Sequence, residues 1–144
     1  MNKYKAVIFD LDGTLLDTLD DLADAVNHTL GEFNYPQRTK ADIRRFLGNG
    51  IERLAKQVLP ENVTEKEFRH VFGVFKDYYT AHCQIKTKAY SGIAELLHSL
   101  KAKGYKLAIV SNKNAEAVEA LNQTYFAKEV DVAIGQKAGI RKKP

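Results

Sequence analysis

The sequence has a single cysteine, Cys83, in 144 residues. One cysteine excludes an internal disulfide and a metal site built from several thiolates, and it is typical of a reducing compartment. There is no run of about 18 apolar residues, so no membrane-spanning helix is predicted. The N-terminus also lacks the charged and then apolar pattern of a signal peptide. These absences predict a cytoplasmic protein without a membrane partner.

The composition is that of an ordinary soluble globular chain, with 44% apolar and 28% charged residues. A length of 144 residues allows one domain and an insertion. The formal net charge of +4 arises in residues 137–144, which carry four basic side chains and no acidic one. The rest of the chain has 18 basic and 18 acidic residues and is formally neutral. Because no aromatic residue accompanies the basic ones, this tail does not predict binding to nucleic acid.

The most informative segment is AVIFDLDGTLLDT, residues 6–18. Its β-branched and aromatic residues 7–9 predict a short strand buried on both faces of a parallel sheet. Asp10 and Asp12 follow at the carboxyl end of that strand. Ligands and chemistry in open α/β sheets gather at those strand ends. The two carboxylates are therefore predicted to be functional.

The spacing of Asp10 and Asp12 restricts the chemistry. Two carboxylates one residue apart at a strand end converge on one small volume, and their repulsion favours a hard cation such as Mg²⁺ there. One carboxylate is then able to attack phosphorus while the other transfers protons. A solvated aspartate-rich turn is the alternative. A calcium-binding EF-hand is excluded, because its loop needs glycine and glutamate where this chain has Leu15 and Asp21.

Apolar residues at helical spacing predict an all-α segment over residues 18–83. Thr18 and Asp21 are predicted to form the N-terminal cap of its first helix, and Thr64 that of its longest helix. Two shorter helices are predicted on either side of a Gly-Asn-Gly turn at residues 48–50. The apolar stripe of the longest helix consists of Phe68, Val71, Phe72, Phe75 and Tyr79. Such a stripe at helical spacing indicates a core face.

The rest of the chain alternates helices and strands. The predictions are a helix over 91–103, a strand over 106–110, a helix over 114–121 and a strand over 130–134. The residues of the first of these helices that are expected to face inward are Ile93, Leu96, Leu97 and Leu100. The order favours a parallel sheet with right-handed crossovers. The predicted fold is α/β: a Rossmann-like parallel-sheet core of residues 1–17 and 84–144, with an all-α cap of residues 18–83 inserted after the first strand.

Three short motifs, taken together, resemble those of a known family. DLDGT at residues 10–14, Ser-Asn at 111–112 and Lys-Pro at 143–144 resemble motifs one, two and three of the haloacid dehalogenase-like (HAD) phosphatases. Within that superfamily, LGNGIERL at 47–54 and IVSNKN at 109–114 are most similar to phosphoglycolate phosphatases. The resemblance covers the whole chain, and the predicted helical insertion matches the family's type-one cap.

The resemblance implies catalytic roles for three residues. Asp10 is implied to attack phosphorus and form an aspartyl-phosphate, and Asp12 to act first as an acid and then as a base. Mg²⁺ is the implied cofactor, held by the carboxylate of Asp10 and the main-chain carbonyl of Asp12. Lys143 is implied to neutralise the charge that develops on the transferred group.

The resemblance also implies a set of substrate-binding residues. They are Thr14, Ser111, Asn112, Lys113, Gly48, Asn49 and Gly50. The implied substrate is a small phosphorylated metabolite such as 2-phosphoglycolate. Two of these assignments have structural alternatives, because a Ser-Asn pair is also a helix cap and a Gly-Asn-Gly turn between helices needs no ligand.

The chain departs from the family at its end. The fourth motif of the family, an acidic pair that supplies a further metal ligand, lies beyond Pro144, so a truncated form is expected. The first strand is then predicted to lie at the edge of the sheet. The implied function is a Mg²⁺-dependent phosphomonoester hydrolase of the phosphoglycolate phosphatase type, as a monomer or homodimer. The alternatives are a related sugar-phosphate mutase, and a non-catalytic remnant that binds phosphate or a protein partner.

Overall fold

The computed structural model describes residues 3–137, 139 and 141. The chain divides into two compact units. The sheet unit comprises Met1–Asp17 and Lys88–Pro144, and the helical unit comprises Thr18–Thr87. The helical unit thus extends past residue 83, where the predicted helical segment ends. No helix in the described part of the chain combines the length and the apolar character needed to cross a membrane.

The described elements are eleven helices and strands. In chain order they are β1 (Ala6–Phe9), β2 (Leu16–Asp17), α1 (Leu19–Glu32), α2 (Lys40–Phe46), α3 (Ile51–Val58), α4 (Glu65–His82), β3 (Lys88–Ala89), α5 (Ile93–Ala102), β4 (Lys106–Asn114), α6 (Ala115–Tyr125) and β5 (Val132–Gln136). Strands β1 and β5 both pair in parallel with β4, in the order β1-β4-β5. The predicted parallel sheet is confirmed. The short strands β2 and β3 form a separate antiparallel pair, which the sequence did not predict.

Among the described residues of the sheet unit, α5 and α6 cover one face of the three-stranded sheet, and side chains on the other face, here called the open face, are exposed. Leu107 and Ile109 of β4 are buried on the side of α5 and α6. On the open face, Ile8 of β1 is aligned with Ala108 and with Val132 of β5. Ile8 is 67% exposed and Val132 is 49% exposed. The prediction that β1 lies at the edge of the sheet is confirmed. The prediction that it is buried on both faces is wrong, because Ile8 points to the exposed face.

Helix α5 is less buried than its apolar pattern predicted. Among its four predicted inward residues only Leu97 is fully buried, and Leu96 is 43% exposed. Successive residues of an α-helix project about 100° apart, so Leu96 and Leu97 do not share one narrow contact face. The prediction was wrong for Leu96, because the helix packs against the sheet through a stripe narrower than its leucine content suggests.

The core of the helical unit includes the predicted stripe of α4. Phe68, Val71, Phe75 and Tyr79 are buried, and Phe72 is half-buried. The predicted cap of α4 is also confirmed. The N–H of Thr64 donates to Oε2 of Glu67 at 2.9 Å, and the N–H of Glu67 donates to Oγ1 of Thr64 at 3.2 Å. The hydroxyl of Thr64 also donates to Oε2 of Glu67, at 3.0 Å. The two hydrogen bonds that the carboxyl accepts, from the main chain and then the side chain of Thr64, hold the pKa of Glu67 below its ordinary value.

Helix α1 begins after Thr18, as predicted, but the contacts at its start differ from the prediction. Thr18 makes no side-chain capping hydrogen bond to the helix, so the predicted cap formed by Thr18 and Asp21 is wrong. Asp21 is 3% exposed and accepts hydrogen bonds from two main-chain N–H groups instead. The N–H of Lys86 lies 2.9 and 2.8 Å from its two oxygens, and the N–H of Thr87 lies 2.7 Å from Oδ2. This carboxylate therefore joins the first helix of the helical unit to its last two residues.

Strand β4 runs to Asn114, past its predicted end at Val110. Its pairing with β5 is irregular, because Val110 is opposite Ile134 while Asn114 is opposite Gln136. Three residues of β4 therefore face one residue of β5, Gly135. A bulge of this kind bends the strand and changes the direction of its side chains. The bulge contains Ser111, Asn112 and Lys113, and thus the Ser-Asn pair of the second motif.

Replacing Gly135 by alanine is expected to destabilise the sheet unit by about 2 kcal/mol. A Cβ at this position would lie 2.6 Å from Cα of Ala115 and 2.9 Å from the carbonyl oxygen of Lys113, so the main chain would have to shift. Urea unfolding followed by circular dichroism measures the change. The matched control is Gly73→Ala in α4, where an added Cβ meets no atom within 4 Å. It is expected to raise stability slightly, and equal midpoints for both variants would contradict the prediction.

Candidate active site

The loop that follows β1 is held by three leucines. Leu11, Leu15 and Leu16 are each 0% exposed. The carbonyl oxygen of Leu11 accepts the N–H groups of Thr14, Leu15 and Leu16 at 3.3, 3.0 and 3.1 Å. Gly13 supplies the sharp turn with a φ of +76°, a conformation in which side chains other than glycine are strained. The three buried leucines thus anchor the loop to the interior of the protein.

The polar residues of the same loop lie on its outer side. Asp10 and Thr14 are exposed, and the side chain of Asp12 is 22% exposed. Asp10 follows Phe9, the last residue of β1, so the loop lies at the carboxyl end of that strand. The structure places the two predicted carboxylates at this end of the sheet.

The bulge of β4 lies at the same end of the sheet, because β1 and β4 are parallel. Ser111 is 6% exposed and Lys113 is 4% exposed, whereas Asn112 is half-buried. The N–H of Lys113 donates to Oγ of Ser111 at 3.1 Å, which stabilises the irregular main chain. The Ser-Asn pair therefore belongs to the strand and not to a cap of α6, whose N-cap residue Asn114 makes no side-chain capping bond.

An ion pair joins the loop to the bulge. The ammonium nitrogen of Lys113 lies 2.9 Å from Oδ1 of Asp12, and the lysine side chain is 2% exposed. A charge buried to this extent is costly unless an opposite charge compensates it. The sequence singled out both residues but did not predict this contact. The only sign of this contact in the sequence is a lysine two residues after the serine of motif two. The bulge that directs the lysine towards Asp12 is not visible in the sequence.

The two aspartates of the loop offer oxygen ligands of the type that Mg²⁺ binds. Carboxylate and carbonyl oxygens are the donors that this ion prefers, and it commonly takes only one or two carboxylates together with waters and phosphate oxygens. Within residues 3–137, 139 and 141, no three acidic, histidine or cysteine side chains cluster as a metal site. The oxygen donors of Asp10 and Asp12 fit the ion, and they are the donors that this loop supplies.

The remaining predicted residues are those of the Gly-Asn-Gly turn and Lys143. Gly48, Asn49 and Gly50 connect α2 to α3 in the helical unit. Gly48 and Gly50 have φ values of +103° and +88°, so the turn itself requires glycine at both positions. Lys143 lies outside the described residues.

The fold and this site define a class of protein. It is an α/β protein with a parallel sheet, an aspartate-rich loop after its first strand, a polar bulge at the end of the neighbouring strand and a helical insertion. A comparison of the sequence with known protein families identifies the class. Residues 7–144 match the haloacid dehalogenase-like hydrolases, and the chain belongs to that family.

Individual relatives are similar in sequence and in fold. The chain is 38% identical to a phosphoglycolate phosphatase of Haemophilus influenzae Rd over 124 residues, which cover 81% of this chain and 55% of the relative. It is 33% identical to a phosphoglycolate phosphatase of Aquifex aeolicus, with 97% of this chain and 64% of the relative covered. The crystal structure of a predicted phosphoglycolate phosphatase from Haemophilus somnus 129Pt superposes with a TM-score of 0.93 at 30% identity, covering 100% of this chain and 68% of the other. The chain thus spans between 55% and 64% of the length of these two curated relatives.

Proposed function

We propose that this chain is a Mg²⁺-dependent phosphomonoester hydrolase that acts on small phosphorylated acids such as 2-phosphoglycolate. The observation that carries the proposal is the contact between the Asp10–Asp12 loop and the β4 bulge, where Asp12 and Lys113 are 2.9 Å apart. Ligands of open α/β sheets bind at this end of the strands. The relatives named phosphoglycolate phosphatase support the substrate class.

The proposed reaction has two steps, both at phosphorus. First, an oxygen of the Asp10 carboxylate bonds to phosphorus as the bond to the ester oxygen breaks, and Asp12 donates a proton to the departing oxygen. Next, water attacks phosphorus, Asp12 takes a proton from that water, and the bond from phosphorus to Asp10 breaks. Inorganic phosphate leaves and both side chains return to their starting states. The exposure of Asp10 supports its role, since a nucleophile must be accessible to the substrate.

The proposed cofactor, Mg²⁺, would be held by the carboxylate of Asp10 and the main-chain carbonyl of Asp12. When bound, it neutralises negative charge on the phosphoryl oxygens. The leucine-anchored loop supports this assignment, because it fixes the main chain from which both donors project.

The phosphoryl group is proposed to bind to Thr14, Ser111 and Asn112. Oγ of Ser111 accepts one hydrogen bond, from the N–H of Lys113, and a hydroxyl that accepts still has a hydrogen to donate. The side chain of Thr14 is on the exposed side of the loop. Lys143 is proposed, from the resemblance alone, to offset charge on the transferred group.

The helical unit is proposed to be the cap that selects the substrate. The Gly48-Asn49-Gly50 turn is its proposed contact with the end of the substrate remote from phosphorus. The proposed location is the cytoplasm, which is supported by Cys83, the only cysteine, being buried and forming no disulfide. The protein is proposed to be a monomer or homodimer, with no nucleic acid partner.

The proposal is tested by incubating the purified 144-residue chain with 2-phosphoglycolate and measuring released phosphate. We expect release in the presence of Mg²⁺ and its loss when the metal is chelated. Phosphate transfer within a sugar phosphate, without release, would identify a mutase instead. Binding of inorganic phosphate without turnover of any phosphomonoester would identify a non-catalytic protein and contradict the proposal.

A further inference from the structure

Lys113 is a buried lysine at the end of the sheet where the proposed chemistry takes place. Its ammonium nitrogen lies 2.9 Å from Oδ1 of Asp12, and its side chain is 2% exposed. An ammonium that loses its surrounding water needs an opposite charge or several acceptors in exchange. The carboxylate of Asp12 supplies such a charge.

The main chain at Lys113 is fixed from two sides. Its N–H donates to Oγ of Ser111 at 3.1 Å. Its carbonyl oxygen packs against Gly135 so closely that a Cβ on that residue would lie only 2.9 Å away. The lysine therefore extends from a rigid point of the sheet, and its ammonium reaches Asp12 without the ordering of a flexible segment.

Asp12 lies outside the regular strands. Its main chain forms an isolated bridge with Leu16, and its side chain is 22% exposed. A partly exposed aspartate side chain has more than one staggered rotamer. The ammonium of Lys113 favours the rotamer in which Oδ1 is 2.9 Å away. The lysine, whose main chain is held on two sides, thus orients the carboxylate.

We propose that Lys113 is a positioning residue whose ammonium fixes the Asp12 carboxylate in the orientation that takes the proton from the attacking water. This inference rests on the proposed function, in which Asp12 is the acid and then the base. It differs from the role implied by the family resemblance, in which Lys113 binds the substrate directly. A residue that binds the substrate mainly alters KM, whereas a residue that acts through Asp12 lowers kcat.

The first test is the variant Lys113→Met, which removes the ammonium and keeps most of the length of the side chain. We expect kcat to fall about 30-fold while KM changes less than about threefold. In an Asp12→Asn background, the same replacement is expected to lower kcat less than about threefold, because the group through which it acts is already inactive. A raised KM at unchanged kcat would overturn the proposal. A further fall in kcat of about 30-fold when Lys113→Met is added to Asp12→Asn would also overturn it.

The matched control is Lys101→Met. Lys101 of α5 also pairs with an aspartate, Asp131, whose carboxylate accepts the N–H of Leu107 near the amino end of β4. The variant Lys101→Met therefore loses an ion pair in the same unit, at the end of β4 remote from the site. We expect kcat and KM to stay at the values of the unmodified chain. An equal fall in kcat for both variants would show a general effect on the fold and would overturn the proposal.

A second measurement does not depend on turnover. In a chain labelled with ¹⁵N-lysine, an ammonium that is buried and ion-paired exchanges its protons slowly enough to give an NMR signal. We expect one such signal to be absent in Lys113→Met, shifted or lost in Asp12→Asn, and unchanged in Lys101→Met. An unshifted signal in Asp12→Asn would overturn the proposal even if phosphate is released. Absence of phosphate release from the unmodified chain would instead contradict the proposed function, and the NMR signal would still decide the contact separately.

Discussion

Replacing Asp10 by asparagine is expected to reduce phosphate release at least about 1,000-fold. The amide that replaces the carboxylate carries no negative charge and does not attack phosphorus. The fold is expected to survive, because the side chain of Asp10 is exposed and the leucines that anchor the loop are unchanged. Substitutions at exposed positions of this kind typically change stability by less than about 0.5 kcal/mol. Phosphate release and urea unfolding, measured on the same preparation, separate the two effects.

The matched control for this variant is Asp17→Asn. Asp17 belongs to the same sequence segment but lies in β2, and the proposed reaction gives it no role. Turnover by this variant is expected to continue. The covalent step is tested by stopping the reaction with acid and weighing the protein, which should carry one phosphoryl group in the unmodified chain and none in Asp10→Asn. Turnover that persists in Asp10→Asn would show that another group attacks phosphorus.

Replacing Asp21 by alanine is expected to destabilise the helical unit by about 3 kcal/mol. The variant loses a carboxylate that is 3% exposed and that binds the N–H groups of Lys86 and Thr87 at 2.7 to 2.9 Å. Hydrogen bonds to charged groups are the stronger ones, and the two donors would lose the acceptor that Asp21 provides. The loss should appear as a lower urea midpoint for the transition of the helices, followed by circular dichroism.

Asp24→Ala is the control for this prediction. Asp24 lies one turn further along α1 and pairs with the side chain of Lys86, so it contacts the same segment. Both side chains of that pair are more than half exposed, at 53% and 52%, and an exposed ion pair contributes about 0 to 1 kcal/mol. If the two alanine variants have equal midpoints, burial and main-chain hydrogen bonding at Asp21 are not what stabilises the unit.

The helices of the helical unit were largely predictable, because local patterns determine them. The stripe on α4 and the cap formed by Thr64 and Glu67 depend on residues three or four positions apart. The cap predicted from Thr18 and Asp21 followed the same rule and was wrong. Asp21 has partners 65 and 66 positions away, and a local pattern does not contain that information.

Burial in the sheet was less predictable than the strands themselves. The residues of β1 have strand character, but whether Ile8 is buried depends on what lies beside and above the strand. The residues of β1 are typical of a central, buried strand. In the structure, however, β1 lies at the edge of the sheet and Ile8 faces the open side. The same limitation applies to Leu96 of α5, which helical spacing placed in the core and the structure leaves 43% exposed.

For the site, the sequence indicated the positions but not the contacts. Asp10 and Asp12 were placed at the carboxyl end of β1 because an apolar strand precedes them. The pairing of Asp12 with Lys113 depends on a bulge opposite Gly135, which is a property of how β4 meets β5. The sequence of neither strand, taken alone, predicts this bulge. The role of Lys143 stays a prediction, since that residue lies outside the described part of the chain.

The pairing of β2 with β3 has a consequence for how the gene for such a chain can be rearranged. Asp17 and Lys88 are directly opposite each other in that antiparallel pair, and all of the helical unit lies between them in sequence. Opposed residues in antiparallel strands are only about 5 Å apart at Cα, a distance that a two-residue hairpin turn closes. The seventy residues from Thr18 to Thr87 are therefore expected to be replaceable, by a short turn or by another domain, with the ends of β2 and β3 kept in place.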